Sequence, residues 1–290
     1  MSPRSKGYLA QLVCYVAALA AAAVTIWLLP LDALPLETLW GALAADVVAT
    51  FVVFGFSVAL SNSSMYDPYW SVAPPALFAY WTATGEPSTR SWIAGAIVLV
   101  WGARLTWNFL RGFSSLSHED WRYRDLQAKH GKLYWPVSFI GVHFMPTLLT
   151  FAGSVPLWVM LHRPSAPLGW LDGVAALVMA IGVGYEATAD EQLRAYVRRG
   201  PAKGDWLKSG LWKHTRHPNY FGECTFWLGL FLFGLAADPS AWWAGAGVLA
   251  IVLLFFFISI PMIDARMRAR RPGYAAYEKR VSRLVPWRVR

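Results

Sequence analysis

Seven apolar runs of bilayer-spanning length constrain this chain more than any motif does. A helix needs about 20 predominantly apolar residues to cross the hydrocarbon core of a membrane. The runs are Tyr8 to Leu29, Leu39 to Leu60, Trp92 to Leu110, Trp135 to Leu161, Leu168 to Ala189, Tyr220 to Ala236 and Ala241 to Ile260. Because 56% of the residues are hydrophobic and only 15% are charged, the sequence predicts an all-α, polytopic integral membrane protein.

A shorter apolar stretch, Trp70 to Trp81, contains Pro74 and Pro75. Proline removes a backbone donor, so this stretch predicts either an eighth, short crossing or a broken half-helix. The chain shows no repeat and no linker long enough to separate domains. We therefore predict a single membrane domain over residues 1–290.

The net charge of +9 is concentrated in four segments. Of the 26 Lys and Arg residues, all but Arg90, Arg104 and Arg163 lie near the N-terminus, in residues 111–134, in residues 191–218 or after Ile260. If the short stretch crosses, all four segments lie on one side, which the positive-inside rule makes cytoplasmic. The charge then reflects topology, and nucleic-acid binding is excluded because no soluble basic domain is present.

The loop Asn62 to Trp70 (NSSMYDPYW) interrupts two apolar stretches with polar residues. One interpretation is an ordinary interfacial turn that Pro68 begins. The other is an acid site, in which Tyr66 and Asp67 donate a hydrogen bond to a substrate carbonyl if burial keeps the carboxyl protonated. Both interpretations remain open from the residues alone.

Arg104 lies in the middle of an apolar span, with Trp101 and Trp107 near it. A guanidinium at that depth requires a polar partner, such as Asp67 or a ligand oxygen, although a purely structural ion pair fits as well. In the loop that follows, Arg122 and Tyr123 are possible edges of a pocket.

Charged residues recur at every fourth position where the fifth long run ends. They are Glu186, Asp190, Arg194 and Arg198. Helical spacing puts all four on one stripe, where they either pair along a solvated face or bind a ligand. In the second case the carboxylates suit ribose or amide groups, and the guanidiniums suit phosphates.

The segment Leu211 to Glu223 (LWKHTRHPNYFGE) joins a basic loop to an apolar helix. Pro218 fits the first turn of that helix, whose N-terminus attracts anions, so the segment predicts a pyrophosphate site. Its candidate ligand contacts are Lys213, His214, Arg216, His217, Asn219, Tyr220 and Glu223. His214 and His217 lack a third ligand at metal-site spacing, so no metal site is predicted.

Residues 168–290 resemble the C-terminal part of membrane-embedded steroid 5α-reductases and related sterol reductases. The similar parts are the stripe, the RHPNYFGE turn from Arg216 to Glu223, and the closing stretch from Arg270 to Pro286. Within that superfamily the chain is most similar to a bacterial branch with a D-x-x-W-S element, here Asp67 to Ser71.

The resemblance implies a seven-helix membrane fold and NADPH-dependent reduction of a carbon–carbon double bond conjugated to a 3-oxo group. It implies that residues 168–290 bind NADPH through the stripe and through the seven candidate contacts in the Leu211–Glu223 segment. It implies that residues 1–167 form most of the substrate cavity, with Tyr66 and Asp67 in the place of the family's ketone-binding Gln-Glu pair. Trp70, Trp101, Arg104 and Trp107 are then expected to contact the substrate.

The expected substrate is a steroid or lipid enone that enters from the bilayer, with membrane lipids as the other partners. We expect a monomer in the bacterial inner membrane, with the cofactor-binding loops and the C-terminus cytoplasmic. The chain departs from the family pattern at Glu186, where the family has Asn. It also departs at the catalytic Tyr, whose place Trp101 or a neighbouring residue takes.

Two alternatives remain. Isoprenylcysteine carboxyl methyltransferases carry a similar RHPxYxG turn and bind S-adenosylmethionine, but four clustered cations, Arg194, Arg198, Lys213 and Arg216, favour the more highly charged NADPH. The second alternative is a non-catalytic lipid-binding protein whose basic loops meet only anionic headgroups.

Overall fold

The computed structural model describes residues 1–29 and 37–287, and in these residues the chain is helical, without β-strands. The helices are α1 Pro3–Leu28, α2 Glu37–Ala59, α3 Tyr69–Thr84, α4 Thr89–Gly112, α5 Trp121–His130, α6 Tyr134–Ser138, α7 Met145–His162, α8 Trp170–Arg198, α9 Pro218–Ala237, α10 Gly245–Leu254, α11 Ile260–Arg270 and α12 Tyr274–Arg280. A π-helical segment, Phe139–Phe144, joins α6 to α7, and another, Phe255–Ser259, joins α10 to α11.

Seven helical segments of the described residues are long and apolar enough to cross a membrane. They are Pro3–Leu28, Glu37–Ala59, Thr89–Gly112, Trp121–His162, Trp170–Arg198, Pro218–Ala237 and Pro239–Arg270. Each covers one of the seven apolar runs of the sequence to within two residues, so the prediction of an all-α, polytopic membrane protein is confirmed. Helices satisfy their backbone hydrogen bonds internally, which is what a lipid environment requires.

The stretch around Pro74 and Pro75 forms the continuous helix α3, which is 16 residues long. Pro68 is the N-cap residue of α3, so the preceding loop ends and the helix begins at this proline. At about 1.5 Å per residue α3 is about 24 Å long, shorter than the hydrocarbon core of about 30 Å. A short helix was one of the two expectations, and it is unbroken.

Contacts between helices divide the chain into two compact units, residues 1–162 and 163–290. In the first unit, α1 packs on α2, and α3 packs on α4 and α7. The indole Nε1 atoms of Trp81 and Trp158 both donate to Thr38, one to its carbonyl and one to its hydroxyl, at 3.2 and 2.9 Å. These bonds tie α3 and α7 to the start of α2. Whether the chain acts as one domain stays a prediction.

In the second unit, α8 and α9 pack most extensively, and glycines permit the close approach. A Cβ atom added at Gly222 would lie 2.6 Å from the backbone nitrogen of Glu186, which is closer than real Cβ contacts come. Gly182 on α8 likewise faces the backbone of Phe226 on α9. Small residues at a helix interface allow backbones to approach in this way in membrane proteins.

Candidate functional site

The polar loop before α3 is buried and held by specific hydrogen bonds. Asn62 accepts from Ser64 N at 2.8 Å and donates through Nδ2 to the carbonyl of Leu116 at 2.7 Å. Ser63 N donates to Glu119 Oε1 at 2.8 Å. The loop is therefore anchored to the segment between α4 and α5, and it is not a solvated turn.

The phenol of Tyr66 is buried in this loop. Its Oη atom lies 2.8 Å from Thr147 Oγ1, which in turn lies 2.8 Å from Thr50 Oγ1. Its ring stacks on Tyr69 with the centroids 5.0 Å apart, and it lies 5.0 Å from the His143 ring on the other side. To bind a substrate carbonyl, the Tyr66 hydroxyl would exchange its contact with Thr147 for the ligand oxygen.

The carboxyl of Asp67 accepts a hydrogen bond from Tyr123 Oη at 2.5 Å. Burial raises the pKa of Asp67 to about 6, although the Arg122 guanidinium and the Tyr123 hydrogen bond act to lower it. The side chain can therefore exchange a proton close to neutral pH. Arg122 and Tyr123, the possible pocket edges, thus act directly on Asp67.

An apolar cavity of about 230 Å³ lies between α1, α2 and α3. Its polar lining residues are Asp46, Tyr69, Tyr15 and Tyr80. The other lining residues are Ala18, Leu19, Ala22, Ala23, Ile26, Ala42, Ala45, Ala49, Val72, Ala73, Ala76 and Leu77. Asp46 was not among the predicted site residues, although a carboxyl inside the second apolar run is itself a signal of a functional or paired group.

The four residues expected to contact substrate do not line this cavity. Trp101 is completely buried on α4, and Trp107 on the same helix is 59% exposed. Arg104 lies between them with intermediate exposure, and Trp70 has intermediate exposure in the first turn of α3. The structure therefore does not gather these four around the cavity, and their contact with a substrate stays a prediction.

The predicted charged stripe lies on one helix, α8. Glu186 is buried, Asp190 and Arg194 are half-buried, and Arg198 is exposed. The stripe thus runs from the interior of the second unit to its surface. Arg194 Nε lies 4.0 Å from Glu191 Oε1, so a solvated pair accounts for part of the charge.

The segment before α9 divides into an exposed and a buried part. Lys213 and His214 are exposed, whereas Arg216 and His217 are buried. Pro218 is the first residue of α9, as predicted. In the first turns, Asn219 and Tyr220 are half-buried. Glu223 is buried and accepts from Trp227 Nε1 at 2.9 Å.

Arg216 and His217 belong to a buried network with the C-terminal segment. Arg216 Nη1 donates to Asp264 Oδ2 at 2.8 Å and to Glu278 Oε1 at 2.5 Å. His217 Nε2 lies 3.0 Å from Asp264 Oδ1, and Tyr274 Oη donates to the same oxygen at 2.9 Å. Sequence reasoning expected both basic residues to contact a cofactor and missed the carboxylates, although Asp264 is an ionisable residue at the end of an apolar run.

The backbone beyond α12 completes the same network. Arg216 N donates to the carbonyl of Ser282 at 2.9 Å, and Thr215 Oγ1 donates to that of Leu284 at 2.8 Å. Tyr277 Oη donates to the carbonyl of Trp212 at 2.5 Å, and burial raises the pKa of Tyr277 to about 12. The closing stretch therefore fixes the position of the loop that precedes α9.

The cations that are placed to meet a phosphate are Arg194, Arg198, Lys213 and His214, because they are exposed or half-buried. Their binding of an anion beside the N-terminus of α9 stays a prediction. Arg216 and His217 instead face carboxylates. In the described residues no three His, Cys, Asp or Glu side chains gather in a way that could hold a metal ion.

Comparison with known proteins assigns the chain to a family. The family model described as "Protein of unknown function (DUF1295)" matches residues 53–281. The chain belongs to the DUF1295 family. This family is part of the steroid 5α-reductase-like superfamily, so the resemblance seen in the sequence is confirmed at the level of the superfamily.

An uncharacterized protein of Schizosaccharomyces pombe is 26% identical to this DUF1295 protein over 267 residues, which cover 81% of the present chain and 76% of the relative. No solved structure matches the chain. The segment that matches DUF1295 includes Tyr66, Asp67, the α8 stripe and the Arg216 network, and it begins after Asp46.

Proposed function

We propose that this DUF1295 protein reduces the carbon–carbon double bond of a 3-oxo-Δ4-steroid or similar lipid enone with NADPH. The observation that carries the proposal is the combination of a buried phenol, Tyr66, with an acid of raised pKa, Asp67, in the loop before α3. That loop lies within the segment that belongs to a reductase-like superfamily.

Tyr66 and Asp67 are assigned to the ketone oxygen of the substrate. As the double bond is reduced, negative charge develops on that oxygen, and hydrogen-bond donors that are already in place stabilise it. Asp67 can serve as a donor only when protonated, and with a pKa of about 6 it is mainly protonated below pH 6 and in a minority of molecules at pH 7. Thr147, the present partner of the Tyr66 hydroxyl, keeps the phenol oriented until a ligand replaces it.

When bound, NADPH supplies the hydride. In the second unit, Arg194, Arg198, Lys213 and His214 are assigned to its phosphates, because their side chains are exposed or half-buried. Polar groups on the two packed helices are assigned to its hydroxyl and amide groups; they are Glu186, Asp190, Asn219, Tyr220 and Glu223. Contact of Arg216 and His217 with the cofactor stays a prediction, and in the structure they position the loop.

An intramembrane protein of this kind takes an apolar substrate from the bilayer and a charged cofactor from the aqueous side. We place it as a monomer in the bacterial inner membrane, with the basic loops cytoplasmic by the positive-inside rule.

The first test is the thermal stability of the detergent-purified protein with NADPH, NADH and S-adenosylmethionine in parallel. A ligand that binds only the native state raises the apparent stability, so we expect a shift with NADPH. A shift with S-adenosylmethionine alone would replace the proposal with methyl transfer. No shift with any of the three would favour the non-catalytic lipid-binding protein.

Two exposed lysines distinguish NADPH binding at this site from a general effect of positive charge. Lys213→Gln removes a proposed phosphate contact, and Lys203→Gln removes an equally exposed cation from the same loop. We expect Lys213→Gln to reduce the NADPH-induced shift and Lys203→Gln to leave it unchanged. Equal effects of the two variants would argue against a site beside α9.

A further inference from the structure

The carboxyl of Asp46 lies in an unusual position for a charged residue. It is only 6% exposed, and it lines the apolar cavity between α1, α2 and α3. Tyr69 Oη donates to Asp46 Oδ1 at 2.5 Å, but Asp46 Oδ2 has no hydrogen-bond partner among the described residues. A buried carboxyl oxygen without a partner is costly, so a hydrogen-bond donor is expected to reach it.

The other polar groups of the cavity, Tyr69, Tyr15 and Tyr80, do not supply that donor, because none of them bonds Asp46 Oδ2. The single hydroxyl hydrogen of Tyr69 is shared between Asp46 Oδ1 and the Asp46 carbonyl. The hydroxyl of Tyr15 donates to the carbonyl of Met65 at 3.1 Å. The missing donor is therefore expected to come from a molecule in the cavity.

The rest of the cavity favours an alkyl chain. Eight of its lining residues are alanines from three helices, and the remaining apolar ones are aliphatic. Its volume of about 230 Å³ is below the range of about 300–1,000 Å³ that is usual for pockets that enclose drug-sized ligands. A slender molecule fits such a space better than a fused ring system does.

The cavity also has a route to the bilayer. Leu19 on α1 lines the cavity and is 48% exposed, and Leu12 and Val16 are exposed on the same membrane-crossing helix. Exposed leucine and valine side chains on a crossing helix face lipid. A ligand that dissolves in the bilayer can therefore enter beside Leu19.

We propose that this cavity binds a long-chain lipid alcohol whose hydroxyl group donates a hydrogen bond to the carboxyl of Asp46. The alkyl chain packs against the alanines of α1, α2 and α3, and the hydroxyl is the only polar group that it brings. The site is independent of the proposed reduction, because neither Tyr66 nor Asp67 lines the cavity. Asp46 and α1 also precede the segment that matches DUF1295.

The test is photo-crosslinking of the full chain in lipid nanodiscs with hexadecanol that carries a diazirine in its chain. The methyl ether of the same probe is the matched control ligand, since it has the same chain but no donor. We expect the alcohol to label lining residues of α1 or α3, and the ether to label them about tenfold less, as expected for the loss of one hydrogen bond to a carboxylate. Equal labelling by the two probes, or labelling that avoids these helices, would overturn the proposal.

Three variants sharpen the result. Asp46→Leu removes the acceptor, and Ala73→Phe fills the cavity, so each should reduce labelling by the alcohol about tenfold or more. Thr150→Val is the control, because Thr150 is buried in the same unit, bonds only its own helix through Oγ1 at 2.8 Å and does not line the cavity. Undiminished labelling of a folded Asp46→Leu protein would refute the site. If that variant does not fold, Ala73→Phe and the comparison of alcohol with ether decide.

Discussion

Arg216 Nη1 donates a hydrogen bond to Asp264 Oδ2 over 2.8 Å, and both side chains are buried. This pair joins the loop before α9 to the second turn of α11, and Glu278 and Tyr274 of α12 extend it. Arg216 is a buried cation that contacts two carboxylates, and removing one partner of such a buried pair is strongly destabilising. The loop that begins α9 is thus shaped by the C-terminal segment.

For this reason Arg216→Ala should act mainly on stability. It removes the buried cation that Asp264 and Glu278 share, although Glu278 keeps the exposed Arg268 and Asp264 keeps His217. We therefore expect a loss of about 3 kcal/mol in the free energy of unfolding, the low end for a broken buried pair. Denaturant unfolding in detergent measures it, with Lys213→Ala as the exposed control that should change stability by less than about 0.5 kcal/mol. If Arg216→Ala unfolds like the parent and only weakens NADPH binding, Arg216 contacts the cofactor as the sequence suggested.

Asp67 should make stability depend on pH. Its pKa in the folded protein is raised to about 6 by burial, so its contribution to stability is fully present below the unfolded pKa near 4 and is lost as the pH rises through about 6. Asp67→Asn removes the ionisation. The melting temperature of Asp67→Asn relative to that of the parent should therefore be higher at pH 8 than at pH 5.

Asp205, which is half-exposed, provides a control because its pKa shifts in the opposite direction from that of Asp67. Its hydrogen bond to Lys208 lowers its pKa, so Asp205→Asn should bring no gain at pH 8. An Asp67→Asn protein whose difference from the parent is the same at both pH values would show that Asp67 does not titrate in this range.

Tyr66→Phe should slow the chemical step without changing cofactor binding. If the phenol stabilises the developing oxyanion, enone turnover should fall by about 10²–10³-fold, while the NADPH-induced thermal shift stays the same. Tyr134→Phe is matched, because Tyr134 is also buried and its hydroxyl lies 2.6 Å from Ser63 Oγ. Equal loss of turnover in both variants would indicate a structural effect.

Two glycines test the packing of α8 on α9. Gly222→Ala would place a Cβ atom against the backbone of Glu186, and we expect a loss of about 1–3 kcal/mol from overpacking. Gly184 on α8 has no atom within 4 Å of the corresponding position, so Gly184→Ala should stabilise the helix by about 0.5–1 kcal/mol. Thermal unfolding of the two variants should shift in opposite directions, and a destabilised Gly184→Ala protein would contradict this account of the interface.

Residue order alone determined the seven long apolar helical segments. The seven apolar runs predict the membrane-crossing segments because backbone groups in lipid must pair within their own helix, which makes length and apolarity sufficient. Pro218 likewise marks the start of α9, since proline fits the first turn of a helix, where its missing N–H group is not needed. The alignment of Glu186, Asp190, Arg194 and Arg198 follows from helical geometry alone.

Only the tertiary structure decided which polar groups meet. Arg216 pairs with carboxylates 48 and 62 residues further along the chain, and Asp46 meets Tyr69 from a neighbouring helix. Helical periodicity says which face a residue occupies but not which helix packs against that face. The sequence therefore suggests a phosphate as the partner of the Arg216 guanidinium, whereas the fold pairs it with a buried carboxylate.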